Sequence, residues 1–261
     1  MPDAQPITMT IDGGVATITL SSPGNANAMT LAWGHAFKEA IATLAAADGL
    51  RVVHLRAEGK AFCVGGDISA FAGTDDPRGL LIHLASDLHD GILALLALDA
   101  PLVVSVQGVA AGAGLSLVCA ADIAIAGRSA AFIAAYTGAG LSPDGGMSWT
   151  LPRLVGTRRA TELMLTNRLV GAEEAAQIGL VTEAVDDDAL AARSEEVVAT
   201  LAALSPSSLG ATRRLIHQGA TDTLETHLPR EAMSIADLAA SPSGQEGITA
   251  FLEKRKPVFE S

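Results

Sequence analysis

The spacing of apolar positions changes period along this chain, and the changes mark its elements. Ile7–Ile11 and Val15–Leu20 are short apolar-rich runs joined by Asp12-Gly13-Gly14, a pattern that predicts a β-hairpin with a glycine turn. Ser21–Asn27 reads as a loop by composition. Thr30 then stands as the cap of a helix to about Ala47, with Leu31, Phe37, Ile41 and Leu44 at helical spacing. Arg51–Ala57 predicts a strand, Ala61–Ile68 another strand running through a glycine pair into a helix start, and Arg78–Leu98 a long helix after Pro77. Leu102–Val106 is apolar without alternation, as in a strand buried on both faces. Short helices are expected over Met147–Leu154, Gly156–Thr166 and Gly171–Gly179, and a strand over Leu180–Val185. From Asp186 onward the pattern is helical only, which predicts a mixed α/β core over 1–200 and a helical region over 201–261.

Two glycine-rich turns carry the chemistry. Gly108–Gly114 is almost devoid of side chains and hands a buried strand to the apolar helical segment Leu115–Ala121; Gly65-Gly66-Asp67 sits at a similar handover. Small residues there let a ligand approach the backbone, and the first amides of a helix have no intrahelical acceptor. Such amides suit developing negative charge.

Composition narrows the partners. The 261 residues are 49% hydrophobic but only 3% aromatic, so the core must pack through Ala, Val, Leu and Ile. A formal net charge of −12 opposes nucleic-acid binding, which needs a basic surface. No apolar run of membrane-spanning length lacks an interrupting charge or glycine, and the N-terminal residues lack a signal pattern, so a cytoplasmic protein without a membrane partner is expected. Cys63 and Cys119 form no disulfide framework or metal set. His83 and His89 lie six apart, on different faces of a helix, so no metal is expected there.

Gly59–Ile68 and Val109–Asp122 resemble the two signature loops of the crotonase (enoyl-CoA hydratase/isomerase) superfamily, and the likeness continues through Leu154–Ala160, Ala172–Val181 and Phe251–Pro257. The resemblance implies a crotonase-like α/β spiral of ββα units, with a C-terminal helical region that builds a homotrimer or hexamer. It implies an acyl-CoA thioester substrate, whose coenzyme A is part of the substrate and not a separate cofactor. The thioester oxygen would meet the amides of Gly66 and Ala113. The nucleotide would lie against Asn25, Ala26, Ala28, Lys60, Ala61 and Phe62, with Lys254 of the Lys254–Lys256 cluster near its phosphates; Asp67 would cap the helix that Ile68 begins.

Hydratases of this superfamily carry two glutamates where this chain has Ser116 and Tyr136. Neither replaces a carboxylate base at neutral pH. The segment Gly140-Leu-Ser-Pro-Asp144-Gly-Gly146 is similar to the isomerase branch, most of all the ring-1,2-epoxyphenylacetyl-CoA isomerases and relatives that shift enoyl-CoA double bonds. Asp144 is therefore the expected proton-shuttling base, surrounded by the small Gly138, Gly145 and Gly146 and by apolar Leu141, Met147 and Trp149. Ser116 is expected to bond back to the preceding helical turn and Tyr136 to line the acyl pocket with its ring. An atypical hydratase and a non-catalytic acyl-CoA-binding protein are the alternatives. A serine hydrolase is disfavoured because Gly114-Leu-Ser116-Leu-Val118 lacks the second glycine of a nucleophile elbow.

Overall fold

A computed structural model describes residues 5–259, with the side chain of Phe71 excepted; the outermost bounds of the two expected regions lie outside them. The hairpin forms as its pattern predicts: β1 (Ile7–Asp12) pairs antiparallel with β2 (Val15–Leu20). Thr30 caps α1 (Leu31–Ala45) by accepting the Trp33 amide, and β3 (Val52–Ala57) returns parallel to β2. Next come α2 (Ile68–Ala72), α3 (Pro77–Ala97), β4 (Leu102–Val106), β5 (Val109–Ala111) and α4 (Ala113–Cys119). They are followed by β6 (Ile123–Gly127), β7 (Ala131–Ile133), α5 (Met147–Val155), α6 (Thr157–Thr166), β8 (Val170–Gly171), α7 (Ala172–Gln177) and β9 (Glu183–Val185). Helices α8 (Leu190–Ala202), α9 (Pro206–Gly219), α10 (Leu224–Ala240) and α11 (Pro242–Leu252) complete the chain.

Six strands form one sheet in the order β1-β2-β3-β4-β6-β9, parallel beyond the hairpin, and β5-β7-β8 form a second, smaller sheet. The result is a mixed α/β fold of repeated ββα-like units with a helical C-terminal region. Successive strand residues point to opposite faces, and both faces of the large sheet are covered. Val53, Leu55 and Val104 join the main core with Trp33, Phe37 and Ile41 of α1. Val52, Val103 and Ile125 pack under Leu190 and Val198 of α8. On that second face His54 shares a 2.6 Å hydrogen bond with the Ser105 hydroxyl, which donates to Ser194 Oγ of α8 at 2.7 Å. Burial, aided by the nearby Arg56 charge, lowers the His54 pKa to about 4.

Three expectations change. The strand over Ala61–Ile68 reduces to two isolated bridges, Cys63 with Ala110 and Gly66 with Met29, because the chain turns at Gly65 between them. The strand over Leu180–Val185 shortens to β9, since the turn that follows Gly179 takes up Leu180 and Val181. The helix after the central glycines starts earlier, at Ala113. Helix α9 is tied to the core by buried Arg213, which donates to Asp122 Oδ2 at 2.7 Å and to the Leu96 carbonyl at 2.8 Å. Among the described residues α3 alone is long and apolar enough to cross a membrane by length and composition; it bears Asp87 and Asp90 and packs along α1.

Candidate active site

The two glycine turns meet. The Phe62 and Cys63 amides donate to the Val109 carbonyl, and Ala111 donates back to Cys63, so the first loop lies alongside β5 like an extra strand. On its other side Val64 donates to Ala26, Met29 to Gly65, and Asp67 to Met29. Held between these neighbours, the loop turns at Gly65 with φ +87°, a left-handed geometry that favours glycine. A Cβ there would stand 2.9 Å from the Ala111 carbonyl and 3.3 Å from the Ala113 nitrogen, which measures how closely the loops approach. Neither the Gly66 nor the Ala113 amide donates to an acceptor among the described residues, and both line one cavity of about 320 Å³. Two N–H groups without acceptors on one cavity wall form a site for an oxygen that gains negative charge.

The cavity wall is mostly apolar, built by Leu81, Leu84, Ala85 and Leu88 of α3. Its polar end holds Tyr136 and Asp144, which are half-buried. The Tyr136 hydroxyl donates to Asp144 Oδ1 at 2.6 Å. Fully buried Ser116 donates to the Asp144 carbonyl at 2.9 Å, lies 3.2 Å from the Tyr136 hydroxyl, and reaches the Gly112 carbonyl only at 3.4 Å. The back-bond to its own helix, expected from sequence, is thus the weakest of its contacts. Burial, with the Asp144 charge beside it, pushes the Tyr136 pKa well above the usual tyrosine range, so this hydroxyl keeps its proton and acts as a donor. His89 Nε2 of α3 accepts the Gly145 amide at 3.0 Å and anchors the same turn from the other side. The pairing of Tyr136 with Asp144 had no sequence signal, because it joins two irregular loop positions.

The remaining expected site residues scatter more widely. Asp67 caps α2 by accepting the Ser69 amide at 3.0 Å, and exposed Ile68 lines the cavity mouth. Asn25 and Lys60 are exposed, Ala26 and Ala61 half-buried, and Ala28 buried. Phe62, expected against the nucleotide, is instead wholly buried in the core with its amide bonded to the Val109 carbonyl, so it presents no surface to a ligand. The residue that orders this loop is Asn27, which lies within the stretch expected against the nucleotide but serves here to bind the loop together. It is fully buried, accepts the Ser22 amide, and donates to the carbonyls of Glu58 and Ala61. Lys254 is exposed after α11 and outside the cavity lining, while its neighbour Arg255 is engaged by Glu246 and Glu253. Trp149, expected beside Asp144, instead turns outward with Arg153 stacked 3.8 Å over its ring.

A family model described as enoyl-CoA hydratase/isomerase matches residues 10–261. The chain belongs to the enoyl-CoA hydratase/isomerase family. Among curated members of this crotonase group, it is 38% identical over 250 residues to a probable enoyl-CoA hydratase of Rhodobacter capsulatus, covering 95% of each chain. It is 34% identical over 253 residues to the 1,2-epoxyphenylacetyl-CoA isomerase of Escherichia coli, covering 95% of this chain and 96% of that one. A crystal structure of a putative enoyl-CoA hydratase/isomerase from Mycobacterium abscessus superposes with a TM-score of 0.94 at 34% identity, over 98% of this chain and 99% of the other. Acyl-CoA chemistry is therefore the family's frame for the cavity.

Proposed function

We propose that this crotonase is an acyl-CoA isomerase that shifts a double bond, or rearranges a ring, through a thioester enolate. The Gly66 and Ala113 amides donate to the thioester oxygen as it gains charge. Asp144 takes a proton from the acyl chain and returns it to another carbon on the same face. Tyr136 occupies Oδ1 of that carboxylate, which leaves Oδ2 to carry the proton. The supporting observation is that, among the described residues, Asp144 is the only carboxylate lining the cavity, and that of the two residues at the positions of the family hydratases' glutamates, Ser116 donates to its main-chain carbonyl and Tyr136 to its carboxylate. One carboxylate suffices for a proton shuttle, whereas hydration uses an acid and a base acting together. The isomerase name of the Escherichia coli relative supports this reading, and the hydratase name of the Rhodobacter relative supports slow hydration as the second.

The coenzyme A nucleotide is assigned to the edge formed by Asn25, Ala26, Ala28, Lys60 and Ala61, with Lys254 offered to its phosphates from the same or a neighbouring chain. Residues 201–261 are assigned to assembly into a trimer or hexamer, an arrangement supported by exposed Leu228, Met233 and Ile235 of α10 and Phe251 and Leu252 of α11; a cytoplasmic setting fits the same reading. The test is a panel of 2-enoyl-, 3-enoyl- and aryl-acyl-CoA thioesters, with products resolved by mass and retention. Changed retention at unchanged mass supports isomerisation. A mass gain of one water points to hydration, and unaltered substrate that still binds makes the protein a binder.

A further inference from the structure

Away from the acyl cavity, α1 and α3 carry a second cluster with its own chemistry. Spacing alone sets His83 against His89, which fall on different faces; the fold instead pairs His83 with Asp87, four residues on, and brings His35 across from α1. One ligand atom from each of His35, His83 and Asp87 lies within 4.8 Å of the others. His35 Nδ1 is 3.8 Å and His83 Nε2 3.6 Å from Asp87 Oδ2. Both separations exceed a hydrogen bond. Asp87 is only 6% exposed, and its Oδ2 is a buried oxygen without a hydrogen-bond partner. A dehydrated carboxylate oxygen facing two imidazole nitrogens, and bonded to neither, calls for something between them.

We propose that His35, His83 and Asp87 bind one divalent transition ion, with Zn²⁺ as the reference case. Two imidazoles and a carboxylate are a common three-ligand set for such ions, and they leave a further position for water. Ligands about 2.0–2.2 Å from a tetrahedral ion stand about 3.3–3.6 Å apart. The two histidine–carboxylate separations already approach that range, and both histidines are exposed and free to swing inward. The surroundings fit a fixed carboxylate. Lys38 Nζ holds the other oxygen, Oδ1, at 3.4 Å while pairing more closely with Asp90 at 3.0 Å. Gly34 lets the helices approach, since a Cβ there would stand 3.3 Å from Asp87 Oδ2. The ion would clamp α1 to the helix whose other residues wall the acyl cavity.

The test uses the untagged full-length protein, stripped with chelator and titrated with Zn²⁺ by calorimetry and with Co²⁺ by visible absorption. The expected result is one ion per chain, a rise in thermal midpoint with Zn²⁺, and loss of both in His35→Gln and His83→Gln, whose exposed side chains can change without unfolding the protein. Asp87→Asn should lose the ion as well, and His227→Gln, in the separate His227–Asp222 pair, should keep it. Absence of stoichiometric binding, or binding that survives both histidine substitutions, overturns the proposal.

Discussion

Replacing Gly114 by alanine tests whether the two loops must sit as close as they do. On the present backbone the new methyl would lie 2.2 Å from the Cys63 carbonyl oxygen and 2.8 Å from Cys63 Cβ. A carbon–oxygen contact normally settles at about 3.3 Å, so the loops must part by roughly 1 Å. No rotamer relieves this, because the obstructing oxygen is backbone on a fully buried residue. Alanine's better helix propensity returns at most about 1 kcal/mol, against about 1–3 kcal/mol for overpacking, so the variant should stay folded with a stability loss of about 1–2 kcal/mol. Catalysis should suffer more. The Ala113 amide is the adjacent residue, and pulling one such donor off target typically costs about 3–4 kcal/mol, or about 10²–10³ in rate. Deuterium exchange beside the thioester, with urea unfolding in parallel, reads both quantities. Gly171→Ala, which meets nothing within 4 Å and needs no left-handed backbone, is the control. Exchange in folded Gly114→Ala within about threefold of wild type would refute the paired-amide geometry.

Other perturbations probe separate parts of the account. Tyr136→Phe removes the 2.6 Å hydrogen bond to Asp144 Oδ1; a bond to a charged group is worth about 1.5–3 kcal/mol, so kcat should fall about 10- to 100-fold with little change in KM, and an unchanged kcat would remove Tyr136 from the site. Arg213→Met removes the charged hydrogen bonds that tie α9 to Asp122 and should cost about 1.5–3 kcal/mol in urea unfolding; a loss under about 1 kcal/mol would place the pair among weak surface bridges. His54 has a folded-state pKa of about 4, below its unfolded value of about 6.5, so the unfolded chain takes the proton first. Its contribution is complete above about pH 6.5 and is lost as pH falls toward 4, by roughly 3 kcal/mol. His54→Gln should flatten that slope relative to wild type, and parallel curves would contradict the assignment.

Much of this was legible in the chain, and what was not has physical causes. Leu102–Val106 is fully buried, as its unbroken apolar run predicts, because the main core that includes α1 covers one face of the large sheet and α8 covers the other. The glycine turns announced close backbone approach, since few other reasons leave a strand-to-helix handover without side chains. The short strands β5, β7 and β8 escaped notice: two or three small residues carry no period, and pairing alone defines them. The same holds for Tyr136 with Asp144 and for His35 with His83 and Asp87. These contacts depend on how loops and helices cross, which local pattern does not encode. Trp149 shows the reverse error, an apolar residue near Asp144 in sequence that the first turn of α5 carries outward.

Isomerase turnover by Asp144→Asn bears most directly on the proposed chemistry. A positioned base contributes about 10²–10⁴ in rate, so on the best substrate of the panel the variant should bind thioester with near wild-type affinity yet turn over at least about 100-fold more slowly. Turnover matching the wild type would contradict a proton shuttle at Asp144.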